Sequence, residues 1–148
     1  MSSGYKVYNQ LIGTVFSRVE RCNNDDDTIN FYIGDDSEPK YKLKHEQDCC
    51  EHVYIESITG NLSDLVGQPI TMAEIVWKDG ESKKDEDGCY SDESSTWTFI
   101  KFATIKGYVD IRFYGSSNGY YSESAHIYHK RDGDGWYMSL ILMDSEDY

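Results

Sequence analysis

Apolar and polar residues alternate over short runs along most of the chain, a pattern typical of β-strands that bury one face. One short segment rich in turn-forming residues, GNLSDLVGQP (60–69), indicates a helical turn at most. The pattern predicts a mainly β fold, at most β-rich α+β, with an antiparallel meander or curved sheet and only short helices. The alternating runs are LIGTVFSRVERC (11–22), TINFYI (28–33), KYKLKH (40–45), VYIESI (53–58), ITMAEIVW (70–77), TWTFIKFATI (96–105), YVDIRFYG (108–115) and YYSESAHIYHK (120–130).

The connections between these runs differ in length and polarity. Lys106 and Gly107 form a two-residue link that predicts a hairpin, and SSNG (116–119) predicts a tight turn. The stretch from Lys78 to Ser95 is almost entirely polar, which predicts a mobile acidic insert at about 79–93. After RDGDG (131–135), the segment WYMSLILM fits an edge strand or a short docking element, so residues 131–148 are treated as a variable C-terminal segment.

Length and composition favour one folded domain over residues 1–148. The chain is 39% hydrophobic and 14% aromatic, which supplies enough apolar surface for one core. No secretory segment is seen at MSSGYKVYNQ, and MSLILM (138–143) is too short to span a bilayer. We therefore expect a soluble protein of the cytoplasm, where its four cysteines are more often free thiols or metal ligands than disulfides.

The charge balance bears on the class of partner. Acidic residues number 27 and basic residues 14, and the formal net charge of −13 opposes direct binding to nucleic acid. Bunched acidic residues are usually solvated loops. They can also present carboxylates to the basic groove of a protein partner, with tyrosines as anchors. The candidate contact residues are Asp25, Asp26, Asp27, Asp85, Glu86, Asp87, Tyr90, Asp92, Glu93, Tyr120 and Tyr121.

The run HEQDCCEH (45–52) concentrates groups that bind metals or protons. The alternation in KYKLKH places His45 on the core side of its strand, where a buried ring needs a partner. Zinc is one such partner, because imidazole and thiolate are its favoured ligands. Its candidate ligands are His45, Cys49 and Cys50, completed by Cys89, His52 or Asp48. A core histidine beside buried free thiols, and a redox disulfide between the adjacent cysteines, are the two other interpretations.

Two longer segments resemble small phage and prophage proteins of an uncharacterised domain family. They are YKLKHEQDCCEHVYIESITGNLSDLVGQPI (41–70) and ESSTWTFIKFATIKGYVDIRFYGSSNGYYSES (93–124), and the similarity runs roughly from Leu11 to Ser124. The distinctive motifs are H-x-x-D-C-C-E, ESSTWTF and SNGYYSE. The chain departs from the family pattern in the charged insert at about 79–92 and after Lys130, which leaves open whether it shares its relatives' partner.

The resemblance implies a function only through the setting in which such proteins occur. Small acidic phage proteins without catalytic motifs are often inhibitors of host defence, and some anti-CRISPR proteins against the type II effector nuclease are thought to contain zinc. The leading expectation is thus a non-enzymatic inhibitor that binds this nuclease. The alternatives are a metal-dependent hydrolase of a nucleotide or signalling molecule, built on His45, Asp48 and a cysteine, and a non-catalytic phage structural or regulatory module.

Overall fold

Ten β-strands form two antiparallel sheets in the computed structural model, which describes residues 4–22, 27–45, 51–80, 94–117, 123–130 and 136–138. Short 3₁₀ turns at Asn9–Leu11 and Leu62–Leu65 interrupt the strands. The strands are β1 (Gly4–Val7), β2 (Arg18–Cys22), β3 (Thr28–Tyr32), β4 (Tyr41–Lys44), β5 (His52–Thr59), β6 (Met72–Asp79), β7 (Ser94–Thr104), β8 (Gly107–Ser117), β9 (His126–Lys130) and β10 (Trp136–Met138).

Each sheet has five strands. The first sheet has the order β1-β6-β7-β8-β5, and the second has the order β10-β9-β4-β3-β2. The chain crosses from one sheet to the other between β1 and β2, between β4 and β5, and between β8 and β9. Consecutive described strands therefore pair within β2-β3-β4, β6-β7-β8 and β9-β10.

The hydrophobic core lies between the two sheets. The Phe31 ring of β3 lies 5.3 Å from the Phe102 ring of β7, and the Phe16 ring lies 5.0 Å from Phe31. Each of these side chains is about 1% exposed, so each contributes roughly 1.5–3 kcal/mol of hydrophobic stabilisation. One buried cluster joins both sheets, and it includes Leu11, Ile29, Leu43, Leu65, Ile70, Ile75, Ile100, Val109, Ile111 and Ile127.

The mainly β, antiparallel, single-domain fold predicted from the alternation is confirmed, as are the short helical turn at Leu62–Leu65 and the inward position of His45. Two boundaries were wrong. The strand predicted over 11–22 begins only at Arg18, because Gly13 takes a φ of +88° in a turn. The two-residue hairpin link is Ile105 and Lys106, since Thr104 pairs with Gly107.

The connection between β6 and β7 is shorter than the polar stretch from Lys78 to Ser95, because both strands extend into that stretch. Asp79 still belongs to β6, and the Gly80 N–H donates to the Ser95 carbonyl oxygen at 2.9 Å. The remainder of the predicted insert, residues 81–93, lies outside the described residues. Of the C-terminal segment, Trp136–Met138 forms an edge strand on β9, one of the two alternatives that the sequence left open, whereas residues 131–135 and 139–148 are not described. Across the described part of the chain, no helix is long and apolar enough to cross a membrane.

Candidate functional site

Strand ends from both sheets meet at one end of the molecule. In the first sheet, His52 pairs with Ser116, Ser94 pairs with Ser117, and Asp79 pairs with Thr96. In the second sheet, Lys44 pairs with His126, and the start of β3 and the end of β2 lie at the same level. The chain therefore leaves and re-enters this end at residues 23–26, 46–50, 81–93 and 118–122.

The four sequences that join these strand ends are rich in acidic residues. Together they carry ten of the 27 acidic residues of the chain and only two of its 14 basic residues. We call this region, defined by the strand ends and the four segments that join them, the acidic end. The topology thus brings to one end of the fold the strand ends that flank these acidic sequences.

His45 lies at the base of the acidic end, directly after β4, and is 7% exposed. Its Nδ1 is 2.9 Å from the Ser124 carbonyl oxygen, which can only accept, so Nδ1–H is the donor. Its Nε2 is 2.7 Å from Oε2 of Glu51, whose side chain is fully buried. Glu51 precedes β5 and Ser124 precedes β9. The imidazole therefore holds together two of the three crossings between the sheets.

A second buried carboxylate lies nearby. Glu123 is 6% exposed, and its Oε2 accepts hydrogen bonds of 2.6 Å from the hydroxyls of Ser94 and Ser117. Its Oε1 accepts one of 3.0 Å from Thr96. Hydrogen bonds to an ionised group are about twice as strong as neutral ones. This cage of hydroxyls therefore fixes the segment before β9 against the ends of β7 and β8.

The same segment makes two further polar contacts. The Ala125 N–H donates to Oγ1 of Thr98 at 3.2 Å, and the Ser124 hydroxyl lies 3.2 Å from Nε2 of His126. The His126 ring in turn packs on Trp77, with centroids 5.5 Å apart. At the acidic end, hydrogen-bonded polar groups thus fill the space between the sheets that apolar side chains fill elsewhere.

Of the predicted zinc ligands, the structure describes His45 and His52, while Asp48, Cys49, Cys50 and Cys89 lie outside the described residues. Among the residues that are described, no group of three or more His, Cys, Asp or Glu side chains could hold a metal ion. Both ring nitrogens of His45 have protein partners, as the core-histidine interpretation expects. His52 is exposed and its ring contacts Tyr54. Zinc binding by the cysteine run stays a prediction.

Asp27 is the one predicted partner-binding residue in the described part of the chain. Its Oδ2 accepts a 2.8 Å hydrogen bond from the Ile55 N–H, beside a bulge in β5, and its Oδ1 lies 3.2 Å from the Arg21 guanidinium. Asp27 therefore caps the outer edge of β5. The other candidates lie in segments that are not described: Asp25, Asp26, Asp85, Glu86, Asp87, Tyr90, Asp92, Glu93, Tyr120 and Tyr121.

The outer surface of the first sheet carries a row of aromatic rings that the sequence interpretation missed. Trp97 lies at the centre, with its ring 4.6 Å from Tyr114 and 6.4 Å from Phe99. Tyr114 contacts Tyr54 at 6.0 Å, and Tyr54 contacts His52 at 5.1 Å. We call these five residues the aromatic face. His52 begins β5 at the acidic end, so the two regions are continuous.

A charged pair lies on the aromatic face. The Arg112 guanidinium is 5.4 Å from the centre of the Trp97 ring, and its Nε is 2.6 Å from Oε2 of Glu56. The signal that could have located this face is the pair of aromatic residues, Trp97 and Phe99, that alternate with Thr96 and Thr98. The threonines point into the core and the aromatic rings point outward, although aromatic side chains usually take the buried face of a strand.

The fold and these two surfaces define a two-sheet antiparallel β domain with an acidic end and an aromatic face. The family model for a domain of unknown function, DUF7448, matches residues 9–127, and the chain belongs to this family. The matched range contains β2 to β8, the first two residues of β9 and the whole aromatic face. Neither a curated protein nor a solved structure matches the chain.

Proposed function

We propose that this protein is a phage-encoded, non-enzymatic inhibitor that binds a host defence nuclease, with the type II CRISPR effector as the target. The observation that carries the proposal is the continuity of the acidic end with the aromatic face. A nuclease has a positively charged channel for its nucleic acid, and a surface of clustered carboxylates competes with phosphates for such a channel.

The aromatic face offers residues that could anchor the complex with the nuclease. Trp, Tyr and Arg are the residue types that most often dominate binding energy at protein interfaces. Trp97, Tyr114 and Arg112 adjoin one another on a sheet surface, and all three are half-buried in the free protein. Rings that already contact one another lose little side-chain freedom when a partner covers them, which favours tight binding.

The acidic end would act on the rate at which the protein associates with the nuclease. Its charge gives long-range attraction to a basic surface and raises the association rate. Because salt screens such attraction over about 8 Å at physiological ionic strength, the association rate should fall steeply as salt rises. The dissociation rate should depend mainly on the aromatic face, since desolvated central contacts control how long a complex persists.

A guide-directed DNA cleavage assay with the purified effector tests the proposal. Cleavage should be lost near one inhibitor per nuclease, whereas a metal-dependent hydrolase would act at far lower ratios and release a product. Undiminished cleavage in the presence of excess protein would exclude this target. A pull-down from host lysate, identified by mass spectrometry, would then show whether another host protein is the partner.

A matched pair of charge variants separates local charge from net charge. The test variant neutralises Asp85, Glu86 and Asp87 at the acidic end. The control neutralises Asp35, Asp36 and Glu38, which lie between β3 and β4 at the opposite end. Both remove three charges. We expect the first to slow association about 10-fold and the second to change it less than 2-fold.

We also propose, as a separate point, that the cysteine run of the acidic end binds one structural zinc with His45, Cys49 and Cys50, completed by Cys89 or Asp48. Its support is chemical, because imidazole and thiolate are favoured zinc ligands and three such groups lie within six residues; zinc would replace Glu51 as the partner of His45 Nε2. Cys50→Ser should then lower zinc content and melting temperature together. Zinc well below one equivalent, with melting unchanged by chelator, would leave His45 as a core histidine.

A further inference from the structure

A small cavity opens on the outer surface of the first sheet, at the edge of the aromatic face. Its volume is about 110 Å³, and its walls come from three neighbouring strands. Ser57 and Thr59 of β5 stand opposite Arg112 and Asp110 of β8, and the Phe99 ring of β7 forms the remaining wall.

Among the cavity residues, Arg112 has a charged partner, whereas one oxygen of Asp110 has no hydrogen-bond donor in the described part of the chain. The Asp110 carboxylate interacts through one hydrogen bond with the Tyr108 side chain. Its Oδ1 is buried and has no hydrogen-bond partner among the described residues. Arg112 is already occupied, since Glu56 binds its guanidinium. A buried carboxylate oxygen without a donor costs about 1–3 kcal/mol. The cavity wall therefore contains a carboxylate with one buried oxygen that lacks a donor from the described chain, while Glu56 already pairs with its one positive charge.

These walls match one kind of side chain. The head group must donate hydrogen bonds, because Oδ1 of Asp110 only accepts and the hydroxyls of Ser57 and Thr59 can accept. It must also be flat or apolar on one side, because the Phe99 ring forms a wall. A guanidinium group meets both conditions, since it is planar, stacks on aromatic rings and donates in a fork to a carboxylate.

We propose that this cavity receives one arginine side chain of the protein partner. The guanidinium donates to the Ser57 and Thr59 hydroxyls and stacks on Phe99, and a small rotation of the Asp110 side chain brings its buried Oδ1 to the guanidinium as a further acceptor. The inference rests on the proposed function, because a basic partner surface supplies the arginine. It also refines that function by naming a central contact, with the rest of the aromatic face covered by the surrounding partner surface.

The test uses two small probes and does not require the nuclease. N-acetyl-arginine amide supplies the cation, and N-acetyl-citrulline amide has nearly the same shape without the charge. Both are titrated into ¹⁵N-labelled protein and followed by NMR. We expect saturable shifts for the arginine probe at the amides of residues 57–59 and 110–112, and binding at least 10-fold weaker for the citrulline probe.

Two variants and a control locate the binding. Asp110→Asn should weaken the arginine probe about 10-fold, and Phe99→Leu should weaken it several-fold, since the ring face is lost. Asp35→Asn removes the same charge at the opposite end and should change nothing. Retained amide spectra confirm that each variant is folded, and the Phe99 variant leaves Asp110 unchanged.

The outcomes separate this inference from the proposed function. Equal binding of the two probes, shifts spread over the acidic end, or full binding by Asp110→Asn would each overturn the arginine cavity, whatever the protein does to a nuclease. Failure to inhibit cleavage, with the probe results as expected, would overturn the target and leave the cavity in place.

Discussion

The His45–Glu51 pair predicts a measurable energetic coupling between two of the crossings that join the sheets. Both side chains are buried, and the distance from His45 Nε2 to Glu51 Oε2 is 2.7 Å. His45→Gln leaves the Glu51 carboxylate buried without its imidazole partner, and removal of one partner from a buried pair costs about 3–5 kcal/mol. Glu51→Gln keeps a neutral hydrogen-bonding group beside the ring, so we expect a smaller loss of about 2 kcal/mol.

The double variant decides whether the two groups act together. If they do, His45→Gln with Glu51→Gln should cost about 3 kcal/mol, well below the sum of the single losses, because neither residue then leaves a buried charge unpaired. The coupling should be about 2–4 kcal/mol, the sum of the single losses minus the double loss. A loss of 3 kcal/mol lowers the melting temperature of a domain of this size by about 6–12 °C.

Urea unfolding followed by tryptophan fluorescence measures all four proteins, with EDTA present so that bound metal makes no contribution. The control cycle uses Arg18 and Glu20, an exposed pair with N–O distance 3.2 Å whose side chains are 52% and 46% exposed. Exposed pairs couple by roughly 0.2–1 kcal/mol. Single losses at His45 and Glu51 that add to within about 0.5 kcal/mol would refute the reasoning, because independent sites are additive.

Three further predictions concern other parts of the fold. Glu123→Gln should destabilise by about 2 kcal/mol in urea unfolding, because three hydroxyls lose an ionised acceptor, whereas Glu20→Gln should change stability by less than about 0.5 kcal/mol. Gly60→Ala should cost at least about 2 kcal/mol of unfolding free energy, because its φ is +92° and a Cβ would collide with the Tyr108 carbonyl oxygen. The control, Gly34→Ala, has a φ of +62° and open space around a Cβ, so it should cost about 1 kcal/mol. Equal losses for the two variants would contradict the collision. Partial burial and the negative charges of Asp110 and Glu74 raise the pKa of Tyr108 above 10.0, so its neutral form is favoured in the fold. The contribution is present below pH 10 and lost as pH rises through the raised value, and the ultraviolet titration of Tyr108→Phe should lack one late tyrosinate transition.

Local alternation predicted those parts of the fold that depend on neighbouring residues. In KYKLKH, the period of two placed Leu43 and His45 on the core side, and both are buried. Hairpins such as β7-β8 followed from two adjacent runs and a short link. Pairings between distant strands could not be found in this way. The pairing of β5 with β8, for example, depends on contacts that no short window of sequence contains.

At the acidic end, β7 buries threonines and leaves aromatic rings on its outer face, which the alternation alone did not decide. Thr96 and Thr98 point inward because Glu123 and the Ala125 N–H need hydroxyl partners there, so Trp97 and Phe99 face outward. Buried acids such as Glu51 and Glu123 carry no sequence signal, since hydropathy assigns every glutamate to the surface. Glu51 bonds His45, six residues before it, whereas Ser94 and Thr96 lie 29 and 27 residues before Glu123, and these distant partners became visible only in the folded chain.

Apolar side chains fill most of the space between the sheets, and hydrogen-bonded side chains fill it at the acidic end. The two regions should therefore differ in how easily they open locally. Where apolar rings such as Phe31 and Phe102 fill the space between the sheets, local opening exposes much apolar surface and is strongly opposed. At the acidic end, hydrogen-bonded side chains such as Glu123 fill that space, and water can replace their partners when the strand ends part. Amide hydrogens at this end should therefore exchange by small local fluctuations, whereas those over the aromatic core should exchange only with global unfolding. This end of the fold can then change shape while the rest of the fold stays closed.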